Sequence, residues 1–134
     1  MDNTLKEKIF NLLGKDTAAS NLNIKLVEID NGTAIAKMEV DERHMNGLGT
    51  VQGGVLFTLA DFACAAAANS QGKIAVSLNA NINFVKAVNS GTLTATATEM
   101  YLRRTVGGYN VDVRDEEGEL VANFQSTSYR KDPK

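Results

Sequence analysis

The sequence predicts an α+β fold in which an antiparallel sheet packs against one buried helix. Residues 53–68 form an apolar, alanine-rich run of high helix propensity. Segments on both sides of this run alternate apolar and polar residues with a period of two, which is typical of strands. Turn residues separate these segments and no linker divides the chain. A sheet covered by one helix is the simplest layered arrangement for this order of elements.

Length and composition limit the number of domains and the classes of partner. The chain has 134 residues, which suits one domain spanning 1–134. Its 14 Lys and Arg nearly balance 16 Asp and Glu, so we expect no nucleic acid or membrane partner. Apolar residues make up 43% of the chain, which excludes disorder for most of it. A single cysteine excludes an internal disulfide and a cysteine-based zinc site.

The N-terminal segment, residues 1–14, is predicted to be a short amphipathic helix. Thr4 and Glu7 have the spacing of a capping box with Thr4 as the N-cap. Gly14 is predicted to end the helix in a left-handed conformation, and a polar loop is predicted at 15–21. The segment lacks the basic and apolar regions of a secretory signal, so the protein is expected to be soluble and cytoplasmic.

A hairpin and a loop are predicted next. Residues 22–30 begin with apolar side chains at alternate positions, and 33–40 is predicted to be the returning strand. Asn31-Gly32 between them is a strong hairpin signal. The polar, glycine-containing segment 41–52 is predicted to be a loop.

The central helix is predicted over 53–69, and Asp61 is its one ionisable side chain apart from the cysteine. The helix is apolar almost all round, so it is expected to be buried. A buried carboxylate is costly unless it is partnered, protonated or next to a water-filled cleft. Asp61 is therefore a candidate functional residue, although a structural role at a strand or an interface stays open.

A long strand is predicted from 74 to 84 because its side chains alternate strictly. The predicted first face carries Ile74, Val76, Leu78, Ala80, Ile82 and Phe84, and the second carries Ala75, Ser77, Asn79, Asn81 and Asn83. Asparagine is depleted in strands, so the second face is expected either to be solvated or to line a subunit interface.

Three further strands complete the predicted fold. They are placed at 92–104, 109–115 and 120–129, with turns at Gly107-Gly108 and at 116–118. The tail, residues 130–134, holds the only proline and is expected to be frayed.

The glycines at the start of the central helix are a second candidate feature. Gly53 and Gly54 permit close approach of a ligand, and the free N–H groups of a first helical turn can hold an oxyanion. A tight turn into a packed helix is the structural alternative. Gly53 and Asp61 are about 12 Å apart along the helix axis, too far to meet at one carbonyl. A two-fold dimer with antiparallel helices would bring Gly53 of one subunit to Asp61 of the other.

The segment from His44 to Asp61 resembles the signature of the PaaI-type hotdog thioesterases, the phenylacetate-pathway group within the 4-hydroxybenzoyl-CoA thioesterase-like superfamily. The matching parts are Asn46-Gly47, Gln52-Gly53-Gly54 and Leu59-Ala60-Asp61, and similarity continues at Ser77 to Ala87, Tyr101 to Thr105 and Leu120 to Ala122. The resemblance implies a hotdog fold, an antiparallel sheet wrapped around a central helix. It also implies hydrolysis of an acyl-CoA thioester to free acid and CoA.

Carried over by position, the resemblance implies roles for four residues. Asp61 would be the general base or nucleophile, Gly53 N–H would polarise the thioester carbonyl, and Asn46 would orient substrate or water. Gln52 replaces the histidine of the family; it can hydrogen-bond but cannot transfer a proton. Coenzyme A enters only as part of the substrate, and no metal or redox cofactor is expected. Homodimers that pair into homotetramers are also implied.

The candidate substrate-binding residues are Gly54, Ser77, Asn79, Lys86, Arg103 and Arg104. Ser77 matches a position where some relatives carry a hydroxyl that assists the attacking water, although an ordinary strand serine is the alternative. The three cations have the charge to contact the phosphates of CoA, or they are solvated strand ends that discourage edge pairing.

Other functions stay open at this point. A non-catalytic acyl-CoA or acyl-carrier binding module would account for Gln52 in place of histidine. A hotdog hydratase or dehydratase needs a catalytic histidine, whereas the only one, His44, precedes the helix and is expected to be exposed or to brace the loop. A purely structural oligomer would leave Asp61 unexplained. Cys64 is predicted to be a buried, inert thiol.

Overall fold

Six antiparallel strands form one sheet that curls around the central helix. The structure is a computed structural model that describes residues 1–133. Its elements are α1 (Asn3–Leu13), α2 (Thr17–Asn21), β1 (Ile24–Asp30), β2 (Thr33–Glu39), α3 (Gly53–Ala68), β3 (Ile74–Phe84), β4 (Thr92–Leu102), β5 (Val106–Arg114) and β6 (Leu120–Lys131). The strand order is β1-β2-β4-β5-β6-β3, so β1 and β3 are the sheet edges.

The central helix and the hairpin form where the sequence predicts them. α3 ends at its C-cap, Asn69, and most of its side chains are buried against the inner face of the sheet. Alanines face it from β2 and β4, so helix and sheet approach closely without many aromatic side chains. β1 and β2 pair around Asn31-Gly32, with Gly32 at a positive φ of 73°. The loop that follows contains one 3-10 turn, Glu42–His44.

The N-terminus differs from the prediction in its capping. Asp2, not Thr4, is the N-cap of α1, because its carboxylate accepts the N–H of Thr4 at 3.0 Å. Gly14 is right-handed (φ −64°) rather than left-handed. The predicted loop at 15–21 contains α2, which Asp16 caps by accepting the N–H of Ala19. A helix of five residues is too short to give a periodic sequence pattern.

Strand β3 carries a β-bulge that corrects the predicted faces. Ser77 pairs with Ser128 and Asn79 with Thr127, so Leu78 is an extra residue. After the bulge Ala80, Ile82 and Phe84 face α3, whereas before it Ile74 and Val76 face outwards. Ser77 therefore lies on the inner face, and Asn79, Asn81 and Asn83 lie on the outer face. The prediction that these polar residues share one face was wrong, because strict alternation has no place for an unpaired residue.

Gly107 and Gly108 lie inside β5, not in the predicted turn. They pair with Leu102 and Tyr101 of β4, and the chain reverses at 103–105. A Cβ atom on Gly108 would overlap the Tyr101 ring, and one on Gly107 would lie 3.0 Å from the Tyr109 ring. Both glycines make room for aromatic rings, and the ring beside Gly108 comes from the neighbouring strand β4.

The last strand extends into the predicted tail. Arg130 is 6% exposed, its N–H donates to the Thr105 carbonyl at 2.8 Å, and its guanidinium donates to the Arg103 carbonyl. Arg130 and Lys131 are therefore part of the sheet rather than frayed, and Lys134 lies outside the described residues. None of the helices in residues 1–133 has the length and apolarity needed to cross a membrane.

Candidate active site

A groove beside the start of α3 brings several predicted site residues together. It forms where the loop before α3 meets the start of α3 and the end of β3, and its volume is about 430 Å³. Its lining residues are Asn46, Thr50, Val51, Gly53, Leu56, Phe84, Val85, Lys86 and Ala87. The groove thus has both polar and apolar walls.

The first turn of α3 presents free amide groups. Gln52 is the N-cap in an extended conformation, and its side chain makes no capping hydrogen bond. The N–H groups of Val55 and Leu56 bond to the Gln52 carbonyl, whereas within residues 1–133 those of Gly53 and Gly54 have no acceptor. Because the helix dipole adds positive potential here, these amides can bind a carbonyl oxygen or an oxyanion.

Two close contacts explain why residues 53 and 54 at the start of α3 are glycines. A Cβ atom on Gly53 would lie 2.9 Å from Cζ of Phe84, so the phenyl ring covers the start of the helix. A Cβ atom on Gly54 would lie 3.1 Å from Oε1 of Gln52, whose side chain is otherwise exposed. Gln52 is therefore close to the free amides, as an orienting role requires.

Asn46 lines the groove and holds its own loop. Its Oδ1 accepts the N–H groups of Leu48 (2.9 Å) and Thr50 (3.2 Å), and its Nδ2 donates to Thr50 Oγ1 (3.0 Å). These bonds fix the shape of the groove wall. The predicted contact of Asn46 with substrate or water stays a prediction.

Asp61 lies two turns further along α3 and outside the groove. It is half-buried, on a strip with Gly54, Thr58 and Ala65 that its own sheet leaves partly uncovered. Within the described chain it has no hydrogen bond or ion pair. Burial raises the pKa of the Asp61 carboxyl above its ordinary value, and the charge of Asp16 raises it further.

The raised pKa predicts that Asp61→Asn stabilises the protein at neutral pH. The stability associated with the protonated carboxyl is present below the ordinary pKa and is lost as pH rises through the raised folded-state pKa. The variant has no such loss. Thermal unfolding of both proteins from about pH 3 to pH 8 should show melting temperatures that diverge in favour of the variant with rising pH. A less stable variant at neutral pH would show that the carboxylate has partners outside its own subunit.

Ser77 lies near the part of α3 that carries Asp61, whereas Asn79 faces away from the helix. α3 and β3 run antiparallel, with Gly53 beside Phe84 and Asn69 Oδ1 accepting the N–H of Ala75 at 3.0 Å. The second half of α3 is therefore level with the first half of β3, where Ser77 is on the inner face. The structure places Ser77 on the same side of the sheet as Asp61.

Two residues have the structural roles that the sequence predicts. His44 is fully buried and braces the loop: its Nδ1 accepts the N–H of Asp41 at 3.0 Å, and its Nε2 lies 2.7 Å from the Leu22 carbonyl. Both ring nitrogens are engaged, which argues against the hydratase alternative. Cys64 is 1% exposed, so its predicted burial is confirmed, and burial raises the pKa of the thiol to about 12, which disfavours a reactive thiolate.

The three predicted phosphate contacts are not brought together within one subunit. Lys86 Nζ binds Asp115 and Glu119, each at 2.6 Å, and these bonds raise the pKa of Lys86. Its charge is thus already balanced at the β5–β6 turn. Arg103 and Arg104 are exposed at the β4–β5 turn, at the opposite end of β5, about 30 Å away for a nine-residue strand.

A curled antiparallel sheet around a buried helix with a glycine entry defines the hotdog class of thioesterase folds. A family model described as "Thioesterase superfamily" matches residues 48–122. The chain is 37% identical over 116 residues to "Acyl-coenzyme A thioesterase PaaI" of Escherichia coli K12, which is 86% of this chain and 83% of that protein. The chain therefore belongs to the thioesterase superfamily, and it is a thioester hydrolase.

Solved structures agree with this assignment. The E. coli PaaI protein from the phenylacetic acid degradation operon superposes with a TM-score of 0.90 at 33% identity, covering 95% of this chain and 93% of that one. A thioesterase from Haemophilus influenzae superposes with a TM-score of 0.84 at 32% identity, covering 91% and 87%. Both the fold and the family predicted from the sequence are confirmed.

Proposed function

We propose that the protein is an acyl-CoA thioesterase whose active site is shared between two subunits. The observation that carries the proposal is the pairing, on one helix, of free Gly53 and Gly54 amides with a half-buried carboxylate at Asp61 that has no partner in residues 1–133. A thioester hydrolase needs both features, an acceptor site for the carbonyl oxygen and a group that activates the nucleophile. The identity to the E. coli thioesterase supports CoA esters as substrates.

In the proposed reaction the thioester carbonyl oxygen accepts the Gly53 N–H, which draws electron density from the carbonyl carbon. Asp61 removes a proton from water as the water oxygen attacks this carbon. The negative charge that develops on the carbonyl oxygen lies at the positive end of the helix dipole. Collapse of the intermediate breaks the C–S bond, the proton taken up by Asp61 passes to the departing sulfur, and CoA and the free acid are released. In the nucleophilic alternative, an Asp61 oxygen attacks first, the C–S bond breaks and CoA leaves as the thiolate, and water then hydrolyses the acyl anhydride to restore Asp61 and release the acid.

A second copy of the chain would complete this site. Gly53 and Asp61 are eight residues apart on α3, about 12 Å, so one subunit does not supply both groups to one carbonyl. In a two-fold dimer with antiparallel helices, the axis would pass near Phe57, midway between them. Each active site would then combine Gly53 of one subunit with Asp61 of the other, giving two equivalent sites.

The free edge of the sheet is the surface that supports such a dimer. β3 is an edge strand, and its exposed apolar side chains include Val76 and Leu78, which are 55% and 60% exposed. An edge strand offers unpaired N–H and C=O groups to a second strand. Because α3 runs along β3, antiparallel pairing of two β3 strands also makes the two α3 helices antiparallel. We propose this dimer, and the homotetramer that the resemblance implies is a pair of such dimers.

The test is release of free thiol from CoA esters by the wild-type protein. Aryl esters come first in the panel, since the E. coli relative comes from a phenylacetic acid degradation operon, followed by straight-chain acyl esters. We expect at least one ester to yield CoA and free acid in equal amounts. Binding of esters with no thiol release on prolonged incubation would overturn the proposal in favour of an acyl-CoA binding module, the alternative that Gln52 keeps open.

A further inference from the structure

The β-bulge in β3 determines which side of the sheet the Ser77 hydroxyl occupies. Residues 77 and 79 have the same parity, so in a regular strand both would lie on one face with Asn81. The extra residue Leu78 breaks this relation and turns Ser77 to the helix side, while Asn79 stays outside. The orientation of Ser77 beside the candidate active site therefore depends on the contacts that hold this bulge in place.

Ser126 of β6 contacts the strand on both sides of the bulge. It is 4% exposed, and its Oγ lies 2.9 Å from the Asn79 carbonyl oxygen and 3.4 Å from Ser77 Oγ. A hydroxyl has one proton to donate, and the nearest acceptor is the Asn79 carbonyl. The contact with Ser77 Oγ is longer, at 3.4 Å, so it leaves the proton of the Ser77 hydroxyl uncommitted.

Ser126 also faces the helix. Cys64 of α3 and Ser126 of β6 are both buried where the helix packs on the inner face of the sheet. Cys64 lies three residues after Asp61, so the two side chains are on the same side of α3. Ser126 is thus on the helix-facing side of β6 and next to the Ser77 hydroxyl, which is itself exposed on the edge strand.

We infer that Ser126 is a positioning residue that holds the bulge and thereby directs the Ser77 hydroxyl towards the water that Asp61 activates. This inference rests on the proposed thioesterase function. It assigns no contact between Ser126 and substrate, because Ser126 is buried on β6, one strand in from the edge strand β3. Its effect on the reaction passes through Ser77.

A double-mutant cycle tests the inference. We expect Ser126→Ala to lower kcat for the best CoA ester about tenfold with KM nearly unchanged, since the attacking group is misplaced while binding remains. Ser77→Ala should lower kcat at least as much. The double variant should be no slower than Ser77→Ala alone, because Ser126 has nothing left to position. Full additivity of the two losses, or an unchanged kcat in Ser126→Ala, would overturn the inference.

Ser128→Ala is the matched control. Ser128 is 2% exposed, lies on the same face of β6 two residues further on, and makes no side-chain hydrogen bond within residues 1–133. We expect it to retain kcat, so a loss equal to that of Ser126→Ala would overturn the inference.

If Ser126→Ala does not fold, Ser126→Cys keeps a donor of similar size and should give an intermediate kcat. Failure of the proposed function has a different signature, since wild-type protein would then release no thiol.

Discussion

Asp61→Asn is expected to lower kcat/KM for thioester hydrolysis by about a thousandfold, within the range for loss of a general base. The amide has nearly the shape of the carboxyl, so α3 and its packing are retained. It cannot accept the proton of the attacking water, and it cannot form an acyl anhydride. KM should change little, because the proposed contact of the carbonyl oxygen is with Gly53. Steady-state thiol release from the best CoA ester measures both parameters.

A second carboxylate near Asp61 provides the matched control. Asp16 contributes to the raised pKa of Asp61 and caps α2 through the Ala19 N–H. Asparagine also caps helices well, so Asp16→Asn removes the charge and keeps the cap. We expect this variant to retain activity within about twofold at neutral pH. An Asp61→Asn protein that keeps more than about a tenth of wild-type activity would exclude Asp61 as base and as nucleophile.

The expected gain in stability makes the loss of activity easier to interpret. Asp61→Asn should be more stable than wild type at neutral pH. Burial opposes ionisation of the Asp61 carboxyl, and the variant removes this ionisable group. A variant that melts higher and does not release thiol cannot owe its inactivity to unfolding. Residues that reduce stability for the sake of a reaction are common at active sites.

Local sequence patterns were sufficient to predict the elements that depend on interactions between residues close together in the chain. The alanine-rich run gives α3, and Asn31-Gly32 gives the β1–β2 hairpin, because both depend on residues adjacent in the chain. The glycines of the helix start and Asp61 were also recognisable, since a carboxylate in an apolar helix is unusual. These are the parts of the candidate site that the sequence predicts well.

Features that depend on pairing between strands were not predictable in the same way. The bulge at Leu78 exists only relative to β6, and period-two alternation placed Ser77 and Asn79 on one face. Gly107 and Gly108 look like a turn because the Tyr101 ring that requires Gly108 lies on another strand. No single-sequence pattern reports that Lys86 is paired with Asp115 and Glu119, 29 and 33 residues further along the chain. The buried contact of Ser126 was missed for the same reason.

The second large effect is expected for Gly53→Pro, which removes the N–H but keeps a residue suited to the start of a helix. Proline is favoured at the first position of a helix, and Gln52 before it already has extended dihedral angles (φ −62°, ψ 141°) that suit a residue preceding proline. The helix start should therefore be kept. We expect kcat/KM to fall at least about a hundredfold, as for loss of one oxyanion donor.

Gly53→Ala distinguishes the effect of losing the N–H from the steric effect of an added side chain. Both substitutions place a Cβ atom 2.9 Å from the Phe84 ring, which must move in either variant. Phe84 is 57% exposed, so its ring can turn aside at small cost. Only alanine keeps the N–H. We expect Gly53→Ala to lose less than about tenfold, and equal losses in the two variants would assign the effect to the ring rather than to the amide.

Mixed dimers decide whether the two groups meet across subunits. An Asp61→Asn chain and a Gly53→Pro chain should each keep about a hundredth of wild-type activity or less alone. When they are refolded together, about half of the dimers contain one of each. In a shared site, such a dimer joins the intact Gly53 of one chain to the intact Asp61 of the other, so activity should return to about a quarter of wild type. If both groups acted within one chain, every site in the mixture would lack one of them. Activity that stays at the level of the separate variants after mixing would therefore contradict the shared site and leave Asp61 and Gly53 in separate roles.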